Sequence, residues 1–193
     1  MTAIRSVAVF CGSRLGALPD YRVAAAALGR GLAEAGLRLV FGGGRIGLMG
    51  ALADAALAAG GEVVGVIPEF LARIEVAHAG LTELIVTDSM HARKLRMYEL
   101  SDAFVVLPGG LGTLDEALEV ITWRQLGLHD KPILLCDVAG SAAPLVAAIE
   151  AAIARGFATP DMRGLFEVTD GVAATLDALG ALVPGEAGSA ARM

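Results

Sequence analysis

What this chain has little of narrows it first. It carries two cysteines, Cys11 and Cys136, far apart in apolar runs and without C-x-x-C spacing, so reduced core thiols are expected. Its three histidines, His78, His91 and His129, show no paired spacing with one another or with cysteine, so no metal site is expected. Lysine is scarce as well. Only Lys94 and Lys131 could form the Schiff base a pyridoxal-phosphate enzyme requires, and Lys131 is tied to Pro132 at a strand start. With 15 basic against 21 acidic residues, a net charge of -6 and a pI near 5.0, the chain lacks the clustered cations that nucleic-acid phosphates demand, and no nucleic-acid partner is expected. No uncharged apolar stretch approaches the ~18 residues of a membrane span, although 55% of residues are hydrophobic and mean hydropathy is +0.65. A core-rich protein with no membrane partner follows. The opening "MTAIRSVAVFCGSR" is apolar only from Val7 to Cys11, too short for a signal-peptide core, so a cytoplasmic location is expected.

What is present is a regular alternation. The runs "SVAVF", "LRLVF", "EVVGVI", "ELIVT", "AFVVL" and "PILLC" have few alternating polar positions, as strands of a parallel sheet buried on both faces do. Between them lie alanine- and leucine-rich helical stretches, mostly stopped by glycine: "YRVAAAALGRGLAEAG", "GLMGALADAALAAG", "HARKLRMYELS", "TLDEALEVITWRQLG" and "APLVAAIEAAIARG". At 193 residues this predicts one α/β domain, a Rossmann-like doubly wound parallel sheet with helices on both faces, over 1–182, followed by a flexible tail over 183–193. The stretch "ALEVITWRQLGL" is apolar on nearly every side, Trp123 included, which is more than one sheet-facing stripe requires. A homodimer through it and the neighbouring "RMYEL" helix is expected.

Three strand-to-helix turns are glycine-rich: "FCGSRLG", "FGGGRIGLMG" and "LPGGLGT". In an open parallel sheet all three lie at the carboxyl edge, where glycine lets backbone N–H groups approach an anion and the next helix adds its positive end. A phosphate site is predicted, with Ser13 and the turn at Gly43 and Gly44 on its walls. Thr113-Leu114-Asp115-Glu116 matches a capping box, which would make Glu116 a helix-capping residue. The competing reading puts Glu116 ~5 Å along the axis from that cap, beside a ribose whose phosphate the cap holds. Met90, Arg93, Lys94 and Met97 fall on one helical face, which serves either as a solvated charged face or as a wall of the cleft. "GGGRIG", with Glu69 further on, formally matches a dinucleotide fingerprint. Glu75 lies in an irregular stretch between strands.

Together, "GGGRIGLMG" at 42–50, "SMHARK" at 89–94 and "PGGLGTLDE" at 108–116 closely resemble the Lonely Guy family of cytokinin riboside 5′-monophosphate phosphoribohydrolases, over nearly the whole chain. Some members of that family were once labelled lysine decarboxylases. The resemblance implies a Rossmann-like homodimer without a cofactor that cleaves the N-glycosidic bond of N6-modified AMP to free base and ribose 5-phosphate. It implies Arg93 and Glu116 as the catalytic pair. Substrate contacts implied or expected beside them are Ser13, Gly43, Gly44, Glu75, Met90, Lys94, Gly109, Gly110, Leu111, Gly112, Thr113 and Thr122. A non-catalytic nucleotide carrier or sensor on the same fold is the alternative, because glycine turns explain binding without turnover.

Overall fold

The computed structural model describes residues 4–182 apart from 73 and 75. The tail expected over 183–193 therefore lies outside the described residues, as does Glu75. Seven strands form one sheet in which every pair is parallel: β1 (Ser6–Phe10), β2 (Arg38–Phe41), β3 (Val63–Pro68), β4 (Glu83–Thr87), β5 (Ala103–Val106), β6 (Ile133–Asp137) and β7 (Glu167–Asp170). Their order across the sheet is β4-β3-β2-β1-β5-β6-β7. The chain winds outward from β1 in one direction and restarts beside it at β5, with Val9 opposite Val105 and Phe10 opposite Val106. That reversal is the switch point at which open α/β sheets bind ligands.

The helices are α1 (Pro19–Glu34), α2 (Gly47–Ala58), α3 (Glu69–Ala72), α4 (Met90–Glu99), α5 (Leu111–Gln125), α6 (Ala143–Ala154) and α7 (Gly171–Gly180), with a 3₁₀ turn at Pro160–Leu165. Proline opens α1, where the missing N–H has no helical partner to lose. Ser89 caps α4 by accepting a hydrogen bond from the Ala92 N–H at 3.2 Å. None of these helices is long and apolar enough to cross a membrane.

Alternation along each strand divides the core in two. Val7, Val9, Leu39, Phe41 and Val105 face α1, α2 and α7, packing with Leu28, Leu32, Leu52 and Leu179. Ala8, Phe10, Val64, Val66 and Phe104 face the other way, onto Met97 of α4, Val120 and Ile121 of α5 and Leu145 of α6. Each fully buried leucine here contributes about 1.5–3 kcal/mol of transfer free energy. The contact between α1 and α2 depends on Gly29, where a Cβ would stand 2.1 Å from the Leu52 carbonyl oxygen. Cys11 and Cys136 are buried and in no disulfide, and burial pushes the Cys136 thiol pKa up. The Trp123 ring meets the Tyr98 ring edge-on at 5.2 Å, so part of the apolar excess on α5 is used within the chain.

Candidate active site

At the switch point the turns after β1 and β5 are laced together. The Gly12 N–H donates to the Pro108 carbonyl at 3.0 Å, and a Cβ on Gly12 would stand 3.3 Å from the Gly109 Cα. Above them opens a cleft of about 880 Å³ walled by the turns that follow β1, β2, β5 and β6 and by one face of α4.

The floor is the start of α5. Its N-cap is Gly110, in an extended conformation with no side-chain cap, and the first helical bond runs from the Leu114 N–H to the Gly110 carbonyl at 3.1 Å. The capping box read from Thr113 to Glu116 is therefore not formed. Thr113 is the third residue of the helix, buried, and folded over Gly109, where a Cβ would come within 2.0 Å of its hydroxyl oxygen. The helix begins early because Gly109 puts no side chain in the way of Thr113. Two consequences follow. Glu116 no longer has a capping role to explain it, and it lies about 9 Å along the axis from the cap rather than ~5 Å. The N–H groups of Leu111, Gly112 and Thr113 open the helix without acceptors inside it, so they are available to an anion, reinforced by the helix dipole.

Arg93 forms the opposite wall. It is 5% exposed, with Nε donating to the Val66 carbonyl at 3.0 Å, Nη2 donating to the Gly42 carbonyl at 2.9 Å and Nη1 lying 3.9 Å from the Met90 sulfur. A Cβ on Gly42 would stand 2.1 Å from Nη2, so the glycine makes room for the guanidinium. A buried cation held this way has fixed direction, since each carbonyl offsets part of its desolvation cost. Arg93 and Glu116 line the same cleft.

Of the other expected site residues, Ser13, Met90, Gly109, Gly110, Leu111, Gly112 and Thr113 line the cleft. Gly43, Gly44, Lys94 and Thr122 do not. Gly43 packs against Ile67 and Leu84, Gly44 bridges Ala77, and Thr122 is exposed with its hydroxyl donating to the Leu118 carbonyl at 2.7 Å. Lys94 turns instead to α5, pairing with Asp115 and Glu119, each at 3.1 Å. Desolvation lowers its pKa, but the hydrogen bonds and charges of Glu119 and Asp115 outweigh that and raise it. By joining α4 to α5, Lys94 sets the helix that carries Glu116 against the helix that carries Arg93.

Among the cleft-lining residues not named as expected contacts are Arg14, Tyr21, Gly140 and Ser141. Arg14 shares the turn of Ser13, and the ring of Tyr21 packs on Gly16, where a Cβ would stand 2.7 Å from it. Gly140 and Ser141 come from the turn after β6, whose single glycine carries no motif and whose importance comes from lying beside β5.

Residues 49–179 match the family model described as "Possible lysine decarboxylase". The chain is 54% identical over 160 residues to a cytokinin riboside 5′-monophosphate phosphoribohydrolase of Rhodococcoides fascians, covering 82% of this chain and 81% of that one. It belongs to the Lonely Guy family. A second member, the cytokinin riboside 5′-monophosphate phosphoribohydrolase LOG1 of Arabidopsis thaliana, is 45% identical over 82% of this chain and 75% of its own. The fold reaches further than the family: the molybdenum cofactor binding protein of Rippkaea orientalis superposes with a TM-score of 0.71 at 21% identity, covering 94% of this chain and 98% of that one. The family's older label finds no support in the two lysines. Lys94 is held by carboxylates, and the Lys131 ammonium sits 3.7 Å over the Tyr98 ring while donating to the Tyr98 carbonyl at 2.7 Å. Neither lines the cleft.

Proposed function

We propose that this protein hydrolyses the N-glycosidic bond of N6-modified adenosine 5′-monophosphates, releasing the free base and ribose 5-phosphate. The observation that carries the reading is the meeting of Arg93, Glu116 and the open amino end of α5 in one cleft. The amides of Leu111, Gly112 and Thr113 hold the 5′-phosphate, converting remote binding energy into orientation of the ribose. As the bond from C1′ to the base nitrogen breaks, positive charge develops on the sugar as an oxocarbenium-like state. Glu116 stabilises that charge and directs water onto C1′, while Arg93 fixes carboxylate and substrate in register. Binding alone would need only the amide floor; a buried, rigidly held arginine in the same cleft as a carboxylate is what turnover adds.

Incubating the protein with AMP and with N6-isopentenyl-AMP, followed by chromatography for free base, tests the reading. Nucleotide bound without base released would make the protein a carrier instead. We also propose a homodimer in the cytoplasm. Leu95 on α4 and Leu118 on α5 are 42% and 43% exposed, and Leu126 and Leu128 beyond α5 are 66% and 64% exposed, an apolar group suited to a self-complementary contact. Buried thiols joined in no disulfide suit a reducing compartment. A monomer at micromolar concentration in sedimentation equilibrium would remove the dimer.

A further inference from the structure

We infer that Arg14, which no motif marks, is the cation that pairs with the substrate's phosphate and makes this cleft select phosphorylated ribose over plain nucleoside. The inference rests on the glycosidase reading for its substrate but not for its test.

The argument begins with charge. Among the described residues, Arg14 and Arg93 are the cations lining the cleft and Glu116 is its carboxylate. Arg93 is buried, with Nε and Nη2 already given to two backbone carbonyls, so its position answers to the protein. Arg14 is exposed, and among the described residues its guanidinium has no hydrogen-bond or ion-pair partner. A phosphate monoester carries roughly two negative charges at neutral pH. A helix end supplies only about half a positive charge, so amides alone leave most of that charge unmatched. The protein as a whole carries -6 and repels such a ligand; a local cation at the cleft offsets the repulsion.

Geometry then places Arg14 for the task. Its turn is fixed on two sides while its side chain stays free. On one side the Gly12 N–H donates to the Pro108 carbonyl at 3.0 Å, next to the amide floor of α5. On the other, the Leu48 N–H donates to the Gly12 carbonyl at 3.0 Å, and Gly47 admits the backbone of Ser13 and Arg14 so closely that a Cβ would stand 2.4 Å from the Arg14 nitrogen. A guanidinium on a rigid turn, bordering exposed amides, offers a phosphate the planar fork that those amides lack.

The test compares wild type, Arg14→Gln and Arg14→Lys. For N6-isopentenyl-AMP, Arg14→Gln should raise KM about tenfold with kcat within about twofold, as loss of a charged hydrogen bond at an exposed site does. Turnover of the unphosphorylated nucleoside should stay unchanged, and Arg14→Lys should recover most of the KM. In parallel, calorimetric titration with ribose 5-phosphate reads binding whether or not the protein turns over. Affinity about tenfold weaker in Arg14→Gln supports the assignment even if no base is ever released, in which case only the glycosidase reading falls. Unchanged ribose 5-phosphate affinity overturns the assignment, as does a loss of nucleoside turnover in step with nucleotide turnover.

Discussion

The turn after β2 and the turn after β5 look alike as strings, "GGGRIG" and "PGGLGT", and serve opposite ends. In the first, the glycines are occupied by the protein itself. Gly42 admits Arg93, Gly47 admits the backbone of Ser13 and Arg14, and just beyond the turn a Cβ on Gly50 would stand 1.8 Å from the Arg45 carbonyl oxygen. In the second, Gly109 admits Thr113, but among the described residues Gly110 and Gly112 have nothing within 4 Å of a Cβ, and neither adopts positive φ. No internal contact requires glycine at those two positions. A glycine crowded by its own chain is scaffolding, whereas one that borders vacant space in a cleft keeps that space for something from outside. The formal dinucleotide fingerprint falls on the crowded turn, and the phosphate site proposed here falls on the vacant one.

Substitutions at both turns can break this contrast. The largest effect is expected at Glu116: Glu116→Gln should lower kcat by about 10³ with unchanged circular dichroism and melting temperature, and base release within tenfold of wild type would dispose of its catalytic role. Next, Gly50→Ala should cost about 3 kcal/mol of stability or prevent folding, because backbone must move to admit the methyl. Gly110→Ala should cost under about 1 kcal/mol in the same denaturant titration yet weaken nucleotide binding about tenfold. Equal stability losses in the two variants would erase the distinction between the turns.

The smallest effect concerns the far end of α5. His129 donates from Nε2 to the Val120 carbonyl at 2.9 Å and accepts the Lys131 N–H on Nδ1 at 3.1 Å, an arrangement that requires the neutral ring. Burial, followed by the nearby charges of Lys131 and Arg124, lowers its pKa from 6.5 against an opposing hydrogen bond to Val120. A depressed histidine binds fewer protons folded than unfolded, so its stabilisation is complete above pH 6.5 and is lost as pH falls below that value through the folded pKa. Melting temperatures taken across this window should fall less for His129→Gln than for wild type; parallel curves would remove the assignment.

How legible all this was depends on where each cause resides. Strands β1, β2, β3, β5 and β6 show in the sequence because burial on both faces demands near-continuous apolar runs, whereas β4, an edge strand with no fully buried residue, shows only through its β-branched run "ELIVT". β7, "EVTD", does not: it is an edge strand of four residues, and only Thr169 is buried. The start of α5 was misplaced because "TLDE" offers a good capping box, while the actual cap is a glycine whose backbone alone suffices. The helical face and the family resemblance together drew Arg93 and Lys94 to the cleft, yet neighbours on a helix point about 100° apart, and Asp115 and Glu119 claim the lysine. Ser141 escapes any local reading, and Arg14 was not singled out within its glycine-rich turn, because their relevance comes from β1 and β6 flanking β5, a fact of topology.

The guanidinium of Arg93 bridges the exit of β2 and the end of β3 through Gly42 and Val66. Turnover is thereby made a reporter on one half of the sheet. Mild heat or denaturant that parts those two strand ends would silence the enzyme while most helical ellipticity survives, so inactivation should run ahead of unfolding, and variants hardened at the β2/β3 seam should keep working longest.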